Sequence, residues 1–149
     1  LQPAETVALS DALFARLSSV STPTGILAVV TTPRRQTLPA HPAACLLLED
    51  IQDPGNLGSI LRSAAASGVK EIFLSPHCVH GWSPRVLRAG MGAHFMLSLY
   101  EGVDLMRFVE GYDGRVIAAD VSARRSVFDA DLSGGRIALL LGNEGGGLS

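Results

Sequence analysis

Residues 45–68 read CLLLEDIQDPGNLGSILRSAAASG, and this stretch decides the fold. Cys45–Ile51 is a short, largely apolar run followed by Pro54 and Gly55, as a buried parallel strand tends to be. From Asn56 to Gly68, residues Leu57, Ile60, Leu61, Ala64 and Ala65 recur at helical spacing. That stripe predicts a helix with Asn56 as its N-cap and Gly68 as its stop. A strand that turns directly into a helix is the first half of a βαβ unit.

The flanking sequence repeats the alternation. Ile26–Thr31 reads as an earlier strand and Glu71–Ser75 as a later one. A short helix is predicted near Pro84–Ala89, then strand His94–Leu99, helix Val103–Glu110, strand Arg115–Asp120 and strand Ile137–Gly142. The order predicts an α/β fold, a parallel sheet with helices on both faces. Residues 3–20 read as one helix, and 32–42, with three prolines and two arginines, as a loop.

Composition narrows the class. The 149 residues suit one domain, with a ragged piece of a second attached. Apolar residues at 47% and charged residues at 17% describe a globular chain and exclude a disordered one. No apolar run reaches the roughly 18 residues that span a bilayer, so no membrane role is expected. Leu1 opens the chain with no initiator Met and no secretory signal, so a longer parent protein is expected. Two cysteines, Cys45 and Cys78, make no disulfide framework and point to a cytoplasmic location. The net charge of −2 lacks the basic excess of many nucleic-acid binders. Eleven of the twelve basic residues are Arg, which suits phosphate forks but also follows from a GC-rich genome.

Three segments carry chemistry. Asp53–Arg62 lies where a strand ends and a helix begins, so its free N–H groups and helix dipole suit an anion such as an RNA phosphate. The plainer reading is a tight turn with an N-cap, and for Arg62 an ordinary solvated arginine. In Ala138–Gly147 an apolar strand opens into glycines, which let backbone approach a ligand closely. It does not fit the dinucleotide fingerprint, and the plainer reading is a flexible loop. Residues 83–93, SPRVLRAGMGA, form a basic turn and helix running into glycines. The run His77-Cys78-Val79-His80 offers three crowded ligands without a fourth, so no metal is expected. Nothing matches a Ser-His-Asp set, a paired-carboxylate hydrolase or a Walker loop.

Together these segments resemble the SpoU (TrmH-like) branch of the SPOUT RNA methyltransferases. The family's N-x-G-x-x-x-R motif matches Asn56, Gly58 and Arg62 behind Leu48-Glu49-Asp50. Its strand running into G-N-E-G-x-G-L-S matches Gly142 to Ser149, and its basic S-P-K-x-x-R-A-S-x-G-A segment is similar to residues 83–93, with Gly90 where a Ser is usual. Residues 18–30 are similar to the join between a small RNA-binding domain and the catalytic domain. The resemblance therefore implies a remnant or linker over 1–24 and a catalytic domain over 25–149. The family's third motif, the S-L-N tail that threads a trefoil knot, is expected after Ser149. The resemblance thus implies a catalytic domain whose knot is C-terminally incomplete in this chain.

The resemblance implies methyl transfer from S-adenosyl-L-methionine to a ribose 2′-hydroxyl of rRNA or tRNA, by a homodimer. It implies catalytic roles for Arg62, Asn56 and Glu144, cofactor contacts by Leu141, Gly142 and Asn143, and an adenosine side lined by Ala118 and Ala119. RNA contacts would come from Arg62, Arg85 and Arg88 and, from the proline loop, Arg34 and Arg35. A rival reading is an RNA-binding module that keeps the fold but has lost transfer; the retained Asn56, Arg62, Gly142 and Glu144 speak against it. A third, an unrelated nucleotide-binding enzyme, lacks a phosphate fingerprint.

Overall fold

The computed structural model of the chain describes residues 5–33, 37–39 and 42–149. Arg34 and Arg35 lie outside the described residues. Contacts gather into two compact units, Leu1–Thr32 and Pro33–Ser149.

In the first unit one helix forms, α1 (Asp11–Leu17). It is shorter than the helix expected over 3–20, because Ser10 and Ser18 bound it with extended backbone. Ser10 Oγ accepts from Leu13 N–H and Ser18 N–H donates to the Phe14 carbonyl, an N-cap and a C-cap seven residues of helix apart. The strand expected at Ile26–Thr31 does not form. Its residues are exposed, Val29 to 92%, and the run pairs with no strand among the described residues. An apolar, β-branched run becomes a strand only when a neighbour satisfies its backbone.

The second unit is a five-stranded parallel sheet of β1 (Ala44–Leu48), β2 (Glu71–Leu74), β3 (Ser98–Tyr100), β4 (Arg115–Ala119) and β5 (Ile137–Leu141), in the order β3-β2-β1-β5-β4. Side chains alternate across it. On one face Leu46, Leu48, Ile72, Leu74 and Leu99 pack against Leu57, Leu61 and Ala64 of α2 (Pro54–Ser67) and Val86 of α3 (Pro84–Gly90). On the other, Cys45, Leu47, Phe73 and Ala138 meet Leu105, Phe108 and Val109 of α4 (Leu105–Gly111). Phe73 lies between the rings of Tyr100 and Phe108, at centroid distances of 4.9 and 4.4 Å. Helices thus cover both faces, as the alternation predicts.

Two local expectations are corrected. Helix α2 starts at Pro54, and its N-cap is Asp53 rather than Asn56. Asp53 Oδ1 accepts the Asn56 N–H at 2.8 Å, and Pro54 occupies the first helical position, where a missing N–H is harmless. The strand expected over His94–Leu99 begins only at Ser98. Before it, Met91 and Gly92 take left-handed backbone and Ala93–Phe95 form a 3₁₀ turn. Buried His94 turns its Nε2 to the Gly81 carbonyl at 2.8 Å, which holds that turn to the preceding loop.

Strand β1 runs by way of α2 to β2 on one side, while β5 and β4 lie on its other side. The carboxyl ends of β1 and β5 therefore open a crevice where the strand order reverses, the place where open α/β sheets bind ligands.

Candidate active site

At this crevice the loops after β1 and β5 clasp each other. The Glu144 carboxylate accepts from Gln52 N–H at 3.3 Å, Asp53 N–H at 3.2 Å and the Asn56 side-chain amide at 3.1 Å. The anion at the start of α2 is thus the chain's own Glu144, in the place where the sequence suggests a phosphate. Glu144 is exposed, and its burial, small as it is, raises its pKa. Its own backbone N–H, Asn56, Asp53 and Gln52 together outweigh that and hold the carboxyl below its ordinary value.

The rest of the clasp is built from backbone. Asn143 Nδ2 donates to the Asp50 carbonyl at 2.8 Å, while its Oδ1 accepts from the N–H groups of Gly145 and Gly146 at 2.9 and 2.8 Å. Its side chain is spent on shaping the loop. Backbone of Gly147 pairs with Asn143 in both directions, and the Ser149 N–H and hydroxyl both donate to Glu49, at 2.9 and 2.6 Å. A Cβ on Gly142 would lie 2.3 Å from the Gly147 carbonyl, so glycine is required there by the chain's own return.

Beneath this loop, Asp50 takes left-handed backbone (φ 52°), held by Ser75. The Ser75 hydroxyl accepts from Asp50 N–H at 2.9 Å and donates to Asp50 Oδ1 at 2.8 Å. Cys78 Sγ donates to the Leu48 carbonyl and accepts from Ile51 N–H. That is the work of the HCVH segment here: it pins the loop that carries Asp53 and Asn56.

A cavity of about 270 Å³ opens at the clasp, lined by Asn56, Leu141, Gly142 and Glu144 together with Ile51, Ser59 and Ile60. Those last three were not singled out from the sequence; Ser59 and Ile60 were readable as neighbours of Asn56 on one helix. The Asp53-Pro54 pair, a cap followed by a first-turn proline, was a signal in plain sight. Ala118 and Ala119 line a different cavity of about 420 Å³ beside β4, though they stand opposite Leu140 and Leu141 in register. The first opening lies at the carboxyl end of β5, and the second runs along β4 from Arg115 to Asp120.

Arg62 is exposed on α2, one turn beyond Ser59, and makes no hydrogen bond or ion pair with another described residue; it does not touch Glu144. Arg85 and Arg88 are exposed on α3. The two helices are in close contact, since a Cβ on Gly58 would lie 2.3 Å from that of Ala89. Among the described residues no helix is long and apolar enough to cross a membrane.

Comparison with known proteins bears on this geometry. A sequence model of the SpoU rRNA Methylase family matches residues 43–149. The chain is 29% identical to a 23S rRNA (guanosine-2′-O)-methyltransferase of Bacillus subtilis (strain 168), over 94% of this chain and 56% of that protein. It superposes with a TM-score of 0.81 on the solved structure of a TrmH-family protein from Porphyromonas gingivalis, at 31% identity, covering 98% of this chain and 60% of that one. It also resembles an AdoMet-bound rRNA methyltransferase from Sinorhizobium meliloti, with a TM-score of 0.68 and 29% identity over 77% of this chain and 47% of that one. The chain spans about half the length of the bacterial relatives it matches, and about a fifth of a mitochondrial one.

Proposed function

The chain belongs to the SpoU rRNA methylase family, and from that premise we propose that the protein methylates a ribose 2′-hydroxyl of rRNA or tRNA with S-adenosyl-L-methionine. The observation that carries this reading is the 3.1 Å bond from Asn56 to Glu144, which joins segments 88 residues apart at the mouth of the crevice. The 2′-hydroxyl is supported by the Bacillus subtilis relative, and the cofactor by the AdoMet-bound Sinorhizobium structure.

Leu141, Gly142, Ala118 and Ala119 are the residues that would hold the cofactor, by backbone and small apolar contacts; Asn143 shapes the loop beside it. When bound, the cofactor supplies an activated methyl on a sulfonium centre. Glu144 and Asn56 fix the start of α2, and α2 carries Arg62. Arg62 stays protonated, so it orients a phosphate and the 2′-hydroxyl by donating hydrogen bonds and is not the base. Such alignment contributes several kcal/mol to a transfer whose methyl is already activated. Arg85 and Arg88 extend the RNA contact along α3, and Arg34 and Arg35 are assigned to RNA held by the second subunit of a homodimer. We place the protein in the cytoplasm, in keeping with two cysteines that are both free.

The test is transfer of tritiated methyl from S-adenosylmethionine into rRNA or tRNA from a strain lacking the enzyme. Label recovered in alkali-resistant dinucleotides is expected, because a 2′-O-methyl group removes the hydroxyl that cleaves RNA in base. RNA binding without label would replace this reading with that of a binding module.

A further inference from the structure

Helix α3 and the 3₁₀ turn after it carry an apolar strip that no other described residue covers. Phe95 is 96% exposed, Met91 73%, and Leu87 39%. Leu87 and Met91 stand one helical turn apart, and the Phe95 ring lies over Gly92, whose absent Cβ would sit 3.9 Å from Phe95 Cδ2. The turn is fixed in this shape by left-handed backbone at Met91 and Gly92 and by the Met91 and Phe95 N–H groups donating to the Arg88 and Gly92 carbonyls.

The charges beside the strip are of one sign. Arg88 stands three residues before Met91 and so borders the strip, and Arg85 lies a further turn back on the same helix. Between Pro76 and Tyr100 the sequence holds no Asp or Glu, and between Pro54 and Tyr100 only Glu71. A chain of net charge −2 has gathered Arg62, Lys70, Arg85 and Arg88 on a stretch with one carboxylate. Through the close contact of Gly58 with Ala89, this surface adjoins the helix that bears Asn56, Ser59 and Arg62.

We propose that Phe95, with Met91 and Leu87, is a stacking platform for an unpaired base of the substrate RNA, whose flanking phosphates Arg85 and Arg88 hold. The proposal rests on the RNA-methyltransferase reading and adds that the substrate is single-stranded near the methylated ribose. An aromatic face offers nothing to a base already stacked in a duplex, whereas unpaired bases are read by stacking on aromatic side chains. A second copy of the chain is the poorer occupant. A two-fold contact sets a patch against itself, and here Arg88 would meet its own counterpart, with no Asp or Glu in residues 77–100 to offset it.

The test compares Phe95→Ala, Phe95→Leu and Phe95→Trp for binding to a short unstructured oligoribonucleotide and to an RNA hairpin stem, with sedimentation of each variant. Because the side chain is exposed, all three should fold as wild type does. Stacking predicts that Ala and Leu weaken single-strand binding about tenfold while Trp keeps it, and that stem binding moves little. Equal single-strand affinity for all variants, with Arg85→Ala/Arg88→Ala still weakening it, overturns the platform and leaves the RNA reading standing. A Phe95→Ala protein that loses self-association but not RNA affinity also overturns it, assigning the strip to a second copy. A wild type that binds neither RNA overturns both readings.

Discussion

A Cβ added to Gly58 would lie 2.3 Å from the Cβ of Ala89 and 2.9 Å from the Ala89 carbonyl carbon and the Gly90 nitrogen. The N-x-G motif on α2 therefore sets how near α3 can come, quite apart from any ligand. Alanine at this position gains up to about 1 kcal/mol of helix propensity. It meets backbone that cannot yield cheaply, and overpacking of that kind costs ~1–3 kcal/mol and sometimes more. Gly58→Ala is expected to be net destabilising and to lower Tm by several degrees, at about 2–4 °C per kcal/mol for a domain near this size. Differential scanning calorimetry checks this. An unchanged or raised Tm would show that the two helices have room to separate.

How far the sequence is legible depends on the range of the interaction. The runs 45–48, 71–74 and 137–141 are strands because each is apolar on both faces, and that pattern is local. Ile26–Thr31 has the same composition and fails, since pairing depends on a neighbour that no local pattern reveals. Helix α2 starts three residues before the expected Asn56 cap, because Asp53 followed by Pro54 is the better cap. The crevice itself spans segments about ninety residues apart. Its two halves are each readable locally as a strand end opening into a turn, and only the family motifs join them; that Glu144 binds Asn56 and two backbone N–H groups follows from the packing of β1 against β5.

The Glu144 clasp has a pH signature. Its pKa lies below the ordinary 4.5, so the folded protein favours the ionised form. The stability this contributes is fully present above the unfolded value and is lost as pH falls through the folded one. The difference in Tm between wild type and Glu144→Gln is expected to be constant across neutral pH and to shrink only below about 4.5, the unfolded value. A difference that shrinks already between pH 7 and 5 would mean that the carboxylate is not held by these donors.

Cys45 is 2% exposed on β1, and burial pushes its thiol up to about 11, with the Tyr112 hydroxyl only partly opposing that. Since the thiolate is the reactive form, Cys45 is expected to resist alkylation in the folded protein near pH 8 and to react on unfolding. Mass spectrometry after iodoacetamide, with and without guanidinium, reads this directly. Rapid labelling of Cys45 in the native protein would place β1 nearer the solvent than its packing against Phe73 and Ala138 allows.

Arg62→Lys tests the role proposed for the exposed arginine of α2. Both residues are good helix formers and Arg62 makes no bond to another described residue, so folding and Tm should not change. The clasp and the strand ends that would hold the cofactor do not include it, so affinity for S-adenosylmethionine should stay near wild type. Lysine keeps the charge and loses the planar fork that engages a phosphate and a hydroxyl together. If that fork aligns the 2′-hydroxyl, methyl transfer should fall by roughly two orders of magnitude, about 3 kcal/mol of transition-state stabilisation. The measurement is single-turnover methyl incorporation into RNA, beside calorimetric titration of the cofactor. Transfer within a few-fold of wild type would leave Arg62 an ordinary solvated residue, and the catalytic role would pass to a group that lines the crevice itself.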